Sequence, residues 1–147
     1  MEKNINLISN VDQISVDYFY PGYKYSDLVM QADVTNLLIP TNFAQGIIIL
    51  HVLEHISELE KAFSELVRVL HPNGWIIIEV PCKSGNTIDC RDSKTDAERI
   101  KCAGQHDHVW KFGFKQWKEL LDINFKSCHK PKITKHLEKQ ILPNISK

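Results

Sequence analysis

Apolar and polar positions along the chain alternate between two periods. Residues 13–17, Q-I-S-V-D, place Ile14 and Val16 on one side of an extended segment that ends on an acid, the period-two signature of a short strand. Residues 29–34 predict a second short strand ending near Asp33. Residues 46–50, G-I-I-I-L, and 75–80, W-I-I-I-E-V, are continuous β-branched runs, the pattern of strands buried on both faces of a parallel sheet. Between them, Leu59, Phe63, Leu66, Val67 and Leu70 recur at helical spacing, which predicts an amphipathic helix over 57–70. Ser57 is placed to cap it, Glu58 and Glu60 fall where the helix dipole favours anions, and Arg68 and His71 lie in the last turn. Pro72 and the pair Asn73-Gly74 predict a stop and a tight turn with positive φ. Strand, helix, turn and strand in this order form a βαβ crossover, which implies parallel strands.

Beyond Pro81 the periodicity weakens. Residues 83–94 read as a polar loop. Thr95 with Glu98 three positions on has capping-box spacing and opens a helix over 95–102. Residues 115–122 and 134–141 predict two further short helices. Tyr18, Tyr20, Tyr23 and Tyr25 alternate along a segment turned by Pro21-Gly22, and read as a half-buried edge. No repeat, low-complexity tract or linker interrupts the chain, so residues 1–147 are read as a single domain.

Composition narrows the function classes. The chain balances 18 basic against 18 acidic side chains, which argues against a nucleic-acid partner or an anionic membrane surface. The lysines of the tail from Lys126 read as a solvated face. The apolar run 47–50 is far shorter than the about 20 residues that span a bilayer, and a cytoplasmic location is expected. The four cysteines, Cys82, Cys90, Cys102 and Cys128, contain no C-x-x-C pair and are read as free thiols. The string His51-Val52-Leu53-Glu54-His55 matches the inverted zinc-peptidase pattern H-x-x-E-H. It straddles a strand end rather than the middle of a helix, so Glu54 and His55 read as a helix-entry polar cluster and no metal site is expected.

Three stretches together carry a resemblance: A-D-V-T-N-L over 32–37, I-I-I-L-H-V-L-E-H-I over 47–56, and E-L-V-R-V-L-H-P-N-G-W over 65–75. With Val80-Pro81, and G-Q-H-D-H-V-W-K-F-G over 104–113, they resemble the class I SAM-dependent methyltransferases of the type 11 kind. The resemblance implies a Rossmann-like, doubly wound α/β fold with a mainly parallel sheet and S-adenosylmethionine (SAM) across the carboxyl ends of its strands. It implies Asp17 as the carboxylate for the ribose hydroxyls, since a carboxylate offers two acceptor oxygens to a diol. It implies Asp33 as the acid facing the adenine amino group, Val34 as a backbone donor to the ring, and His51 as the residue between cofactor and acceptor. His51 is therefore the candidate general base, and His106 and His108 are candidate substrate-binding residues. The expected reaction is methyl transfer to a small-molecule acceptor.

The chain departs from the family pattern in three ways. It contains no G-x-G, about a dozen residues precede the first predicted strand, and Ala44-Gln45 stand where the family has Phe-Asp. The first and last strands of the family sheet are therefore read as absent, the domain as partial and truncated, and SAM binding as weak. The vacated central slot spans about 9.6 Å between flanking strands, too far for hydrogen bonds. Residues 4–9 could fill it. Direct pairing of the flanking strands, a homo-oligomer, or a complementing chain that donates a strand is the preferred reading. The alternative to an enzyme is a non-catalytic pseudo-methyltransferase, or the C-terminal half of a split enzyme that needs a partner.

Overall fold

A computed structural model describes residues 12–18, 22 and 24–125. Seven strands and three α-helices occur among them: β1 (Ser15–Asp17), β2 (Val29–Gln31), β3 (Ala44–Leu50), α1 (Leu59–Val69), β4 (Leu70–Glu79), β5 (Cys82–Lys83), β6 (Ile88–Asp89), α2 (Asp96–Ala103), β7 (Trp110–Gly113) and α3 (Phe114–Asn124). A 3-10 turn, Leu53–His55, follows β3.

The crossover is present as the patterning requires. β3 and β4 pair in parallel, with Ile47 beside Ile76, Ile48 beside Ile77 and Ile49 beside Ile78, and α1 connects them. Leu59, Ala62, Phe63, Leu66 and Val69 form the buried face of α1. Phe63 meets Trp117 and Phe125 of the closing segment, with ring centroids 6.0 and 5.8 Å apart, and Phe112 lies 4.6 Å from Trp117. These rings and the inner face of β3 and β4 make one apolar core. β1 and β2 also pair in parallel. β7 runs between β5, parallel to it, and β6, antiparallel to it. Parallel pairs joined by a crossover helix, with helices against them, constitute a partial Rossmann-like α/β fold.

Several local expectations need correction. The N-cap of α1 is Glu58, not Ser57, and no side chain caps it. β4 opens directly after α1, with Leu70 already extended (ψ 128°), but its pairing with β3 jumps from Ala44–Leu70 to Gly46–Trp75, so residues 71–74 bulge out of the ladder where the sequence predicts a stop, and neither Asn73 nor Gly74 takes the expected positive φ. Gly74 is needed for close approach rather than for positive φ, since a Cβ there would lie 2.8 Å from Leu70 Cδ1 and 3.0 Å from Ala44 O. β3 is not buried on both faces. Ile48, Leu50, Trp75 and Ile77, all on one face, are about half exposed, 46–51%, because no helix among the described residues covers that side. Residues 83–94 are not wholly loop, since they hold β6 and the end of β5.

Cys90 and Cys102 form a disulfide, which corrects the expectation of four free thiols. Sequence spacing missed the pair because the 95–102 helix returns Cys102 to Cys90. Cys82 is free, and Cys128 lies outside the described residues. The flanking strands do not close directly either: among the described residues, β1–β2 and β3–β4 are separate two-stranded sheets. Residues 4–9, the 134–141 helix, Tyr20, Tyr23 and the lysine tail lie outside the described residues. No helix among the described residues is long and apolar enough to cross a membrane.

Candidate functional site

Two groups of predicted residues separate in space along the carboxyl ends of the parallel strands. The first belongs to β1 and β2. Asp17 ends β1 beside Gln31, and its carbonyl accepts from Ala32 N at 2.8 Å, so Asp33 follows directly past the end of β2. Asp33 Oδ1 accepts from Thr35 N at 2.8 Å and Thr35 Oγ1 at 2.7 Å, an Asx turn that fixes the carboxylate. Asp17 Oδ1 accepts from Tyr18 N at 2.6 Å. In Asp33 the turn engages one oxygen and orients the other, whereas the Asp17 oxygen meets only the amide of the next residue.

A cleft of about 280 Å³ opens here, lined by Tyr18, Gln31, Ala32, Asp33, Asn36 and Leu38. An aromatic ring, an aliphatic side chain and an oriented acid suit a flat heterocycle with an exocyclic amine, so the residues present fit the adenosine end of SAM. Asp17 flanks this cleft rather than lining it, and Val34 is half-buried against the core.

The cleft is anchored from α1. Arg68 donates to the carbonyls of Leu37 at 2.8 Å and Ile39 at 2.9 Å. Glu65 Oε2 accepts from Leu37 N at 2.8 Å. The Arg68 guanidinium, two-pronged on Glu65, holds that carboxyl below its ordinary range, with the Leu37 amide assisting.

The second group surrounds Glu54. His51 follows β3 directly with φ 55°, a left-handed conformation uncommon for a non-glycine residue and often associated with function. Its amide donates to Glu79 O at 2.9 Å. Its ring sits between two carboxylates, Nδ1 at 3.4 Å from Glu54 Oε1 and Nε2 at 3.3 Å from Glu79 Oε1. Glu54 is 1% exposed and His108 is 6% exposed. Burial, and then the neighbouring His55, push the His108 imidazole below its ordinary range. Burial, with the Glu54 charge, pushes the Cys82 thiol up to about 11, so Cys82 is an inert thiol near neutral pH.

The structure thus brings His51 and His108 to one carboxylate and leaves His106 outside. His106 is exposed, and only its carbonyl, accepting from Arg99 at 3.4 Å, ties it to α2. Sequence reasoning treated Glu54 as a polar cap, whereas it is the buried centre of the group. The signal was the i, i+3 spacing of His51 and Glu54 inside H-x-x-E-H.

Residues 12–78 match the family model described as "Methyltransferase domain". Among solved structures, the chain is similar to a SAM-dependent methyltransferase, possible histamine N-methyltransferase, from Thermotoga maritima. The two share 20% identity over 67% of this chain and 44% of that one, with a TM-score of 0.44. The chain therefore spans less than half the length of that enzyme. No curated protein matches.

Proposed function

We propose, from the match of residues 12–78 to a methyltransferase-domain model, that the chain takes part in methyl transfer from SAM to a small-molecule acceptor. The observation that carries the reading is the cleft past β2, where Tyr18, Asp33 and Leu38 are gathered beside the acid that ends β1. SAM when bound supplies an activated methyl group on a sulfonium. Asp17 would accept from the ribose hydroxyls and Asp33 from the adenine amino group, with Tyr18 and Leu38 against the ring. His51 would accept the acceptor's proton, and the imidazolium formed would be held between the Glu54 carboxylate at Nδ1 and the Glu79 carboxylate at Nε2. His108, and His106 farther out, would line the acceptor's approach.

The test is calorimetric titration with S-adenosylhomocysteine and with adenosine. These 147 residues contain no G-x-G whose amides would hold the methionine end. The two ligands should therefore bind weakly and within about threefold of each other, a difference under about 1 kcal/mol. Asp33→Ala and Asp17→Ala should each weaken both. Tight binding unaffected by either substitution would reject the assignment.

A second reading has its own observation. The row Trp75, Ile48, Ile77 and Leu50 leaves one face of the β3–β4 pair half exposed, although parallel sheets are covered on both faces. A complementing chain that packs helices on this face, and brings a glycine loop of its own, would cover it, and methyl transfer would then need both chains. A catalytically silent copy of the domain would retain the cleft but show no turnover with such a chain.

A further inference from the structure

We propose that Glu54, His55 and His108 form a binding site for a divalent transition-metal ion, zinc foremost. One ligand atom from each lies within 4.8 Å of the other two. The decisive observation is Glu54. Its side chain is buried, and Oε2 has no hydrogen-bond partner, while Oε1 faces His51. An unpartnered carboxylate oxygen removed from water is costly, and a cation between Oε2 and the two imidazoles removes that cost.

His55 is set as a ligand by its outer contact. Its Nδ1 lies 3.1 Å from Asp107 O and 3.5 Å from Asp107 Oδ2. A proton on Nδ1 donated there leaves Nε2 with its lone pair, the arrangement in which outer carbonyls and carboxylates orient metal-binding histidines. The His108 ring stands edge-on to His55, with centroids 4.8 Å apart.

Two distant parts of the chain must be held in register for such a site, and one backbone and one side-chain hydrogen bond do this. Val109 N donates to Glu54 O at 2.9 Å, and Trp110 Nε1 donates to Ile56 O at 2.8 Å. One carboxylate and two imidazoles suit zinc, which bonds them at about 2.0–2.2 Å and leaves a position for water or an acceptor atom. Donors at that distance on a tetrahedral ion lie about 3.4 Å apart, so a pair as wide as 4.8 Å closes by more than about 1 Å on binding. The inference does not depend on methyl transfer.

The experiment uses the whole chain, stripped with chelator and titrated with zinc chloride by calorimetry and with cobalt chloride by visible absorption. One equivalent of zinc is expected, together with cobalt bands of a four-coordinate nitrogen and oxygen site. Glu54→Gln and His108→Asn should each weaken zinc binding about tenfold or more, while His71→Asn leaves it unchanged. If a variant fails to fold, the cobalt spectrum of the unaltered chain decides. No stoichiometric binding, thiolate bands that place the metal on cysteine, or affinity indifferent to both substitutions would overturn the site.

Discussion

Arg68 shows how far a single residue's role can lie from its local pattern. On the helix it is a last-turn cation, and its i−3 neighbour Glu65 is an ordinary surface partner. In the fold the two clamp the 37–39 backbone, 29 and 31 residues away, and so hold the wall of the cleft past β2. Nothing in the local sequence encodes those partners, which is why the pair was not legible there. Lysine cannot reproduce the fork. Arg68→Lys is expected to lower the midpoint of unfolding, measurable by urea titration. The pH dependence follows from Glu65. Its folded carboxyl titrates below the ordinary 4.5, so its contribution is fully present above about 4.5 and is lost as pH falls through the lower folded value. Glu65→Gln should flatten the acid limb of the stability profile relative to the unaltered chain.

At the scale of elements, the parts with strong periodicity were legible and the short ones were not. The helix 57–70 and the two isoleucine runs appear as α1, β3 and β4 because a long apolar stripe has few other ways to be buried. The capping box is present as spaced: Thr95 accepts from Glu98 N, and Glu98 returns to the Thr95 amide. Thr95→Ala should therefore destabilise α2 by about 1 kcal/mol, read by hydrogen exchange of its first-turn amides. That helix buries none of its residues fully, so the Cys90–Cys102 link carries much of its attachment. Reduction should expose the α2 amides to exchange while those of α1 stay protected. β5, β6 and β7 escaped the reading because strands of two to four residues leave too few positions to show a period. Gly46 is explained only by the pairing. Trp75 lies across it, where a Cβ would stand, so Gly46→Ala must displace the ring and lower the melting temperature.

For the whole molecule, the class of fold was legible and the completeness of the sheet was not. Parallel pairing, the crossover and acids at strand ends follow from period and order. How separate strand pairs share a domain depends on contacts such as Glu65 to Leu37, which no pattern announces. The same holds for the candidate site: Asp17, Asp33 and His51 are candidates through the family resemblance, whereas Glu54 became visible only when the fold buried it. The central claim is that the cleft past β2 receives the adenosine end of SAM. The most direct measurement is a two-dimensional amide NMR titration of the 15N-labelled chain with S-adenosylhomocysteine. The account predicts saturable shifts concentrated at Asp17, Tyr18, Gln31, Asp33 and Asn36, with α1 amides distant from the cleft unmoved. Saturable shifts centred elsewhere, or none at any ligand concentration reached, would contradict it.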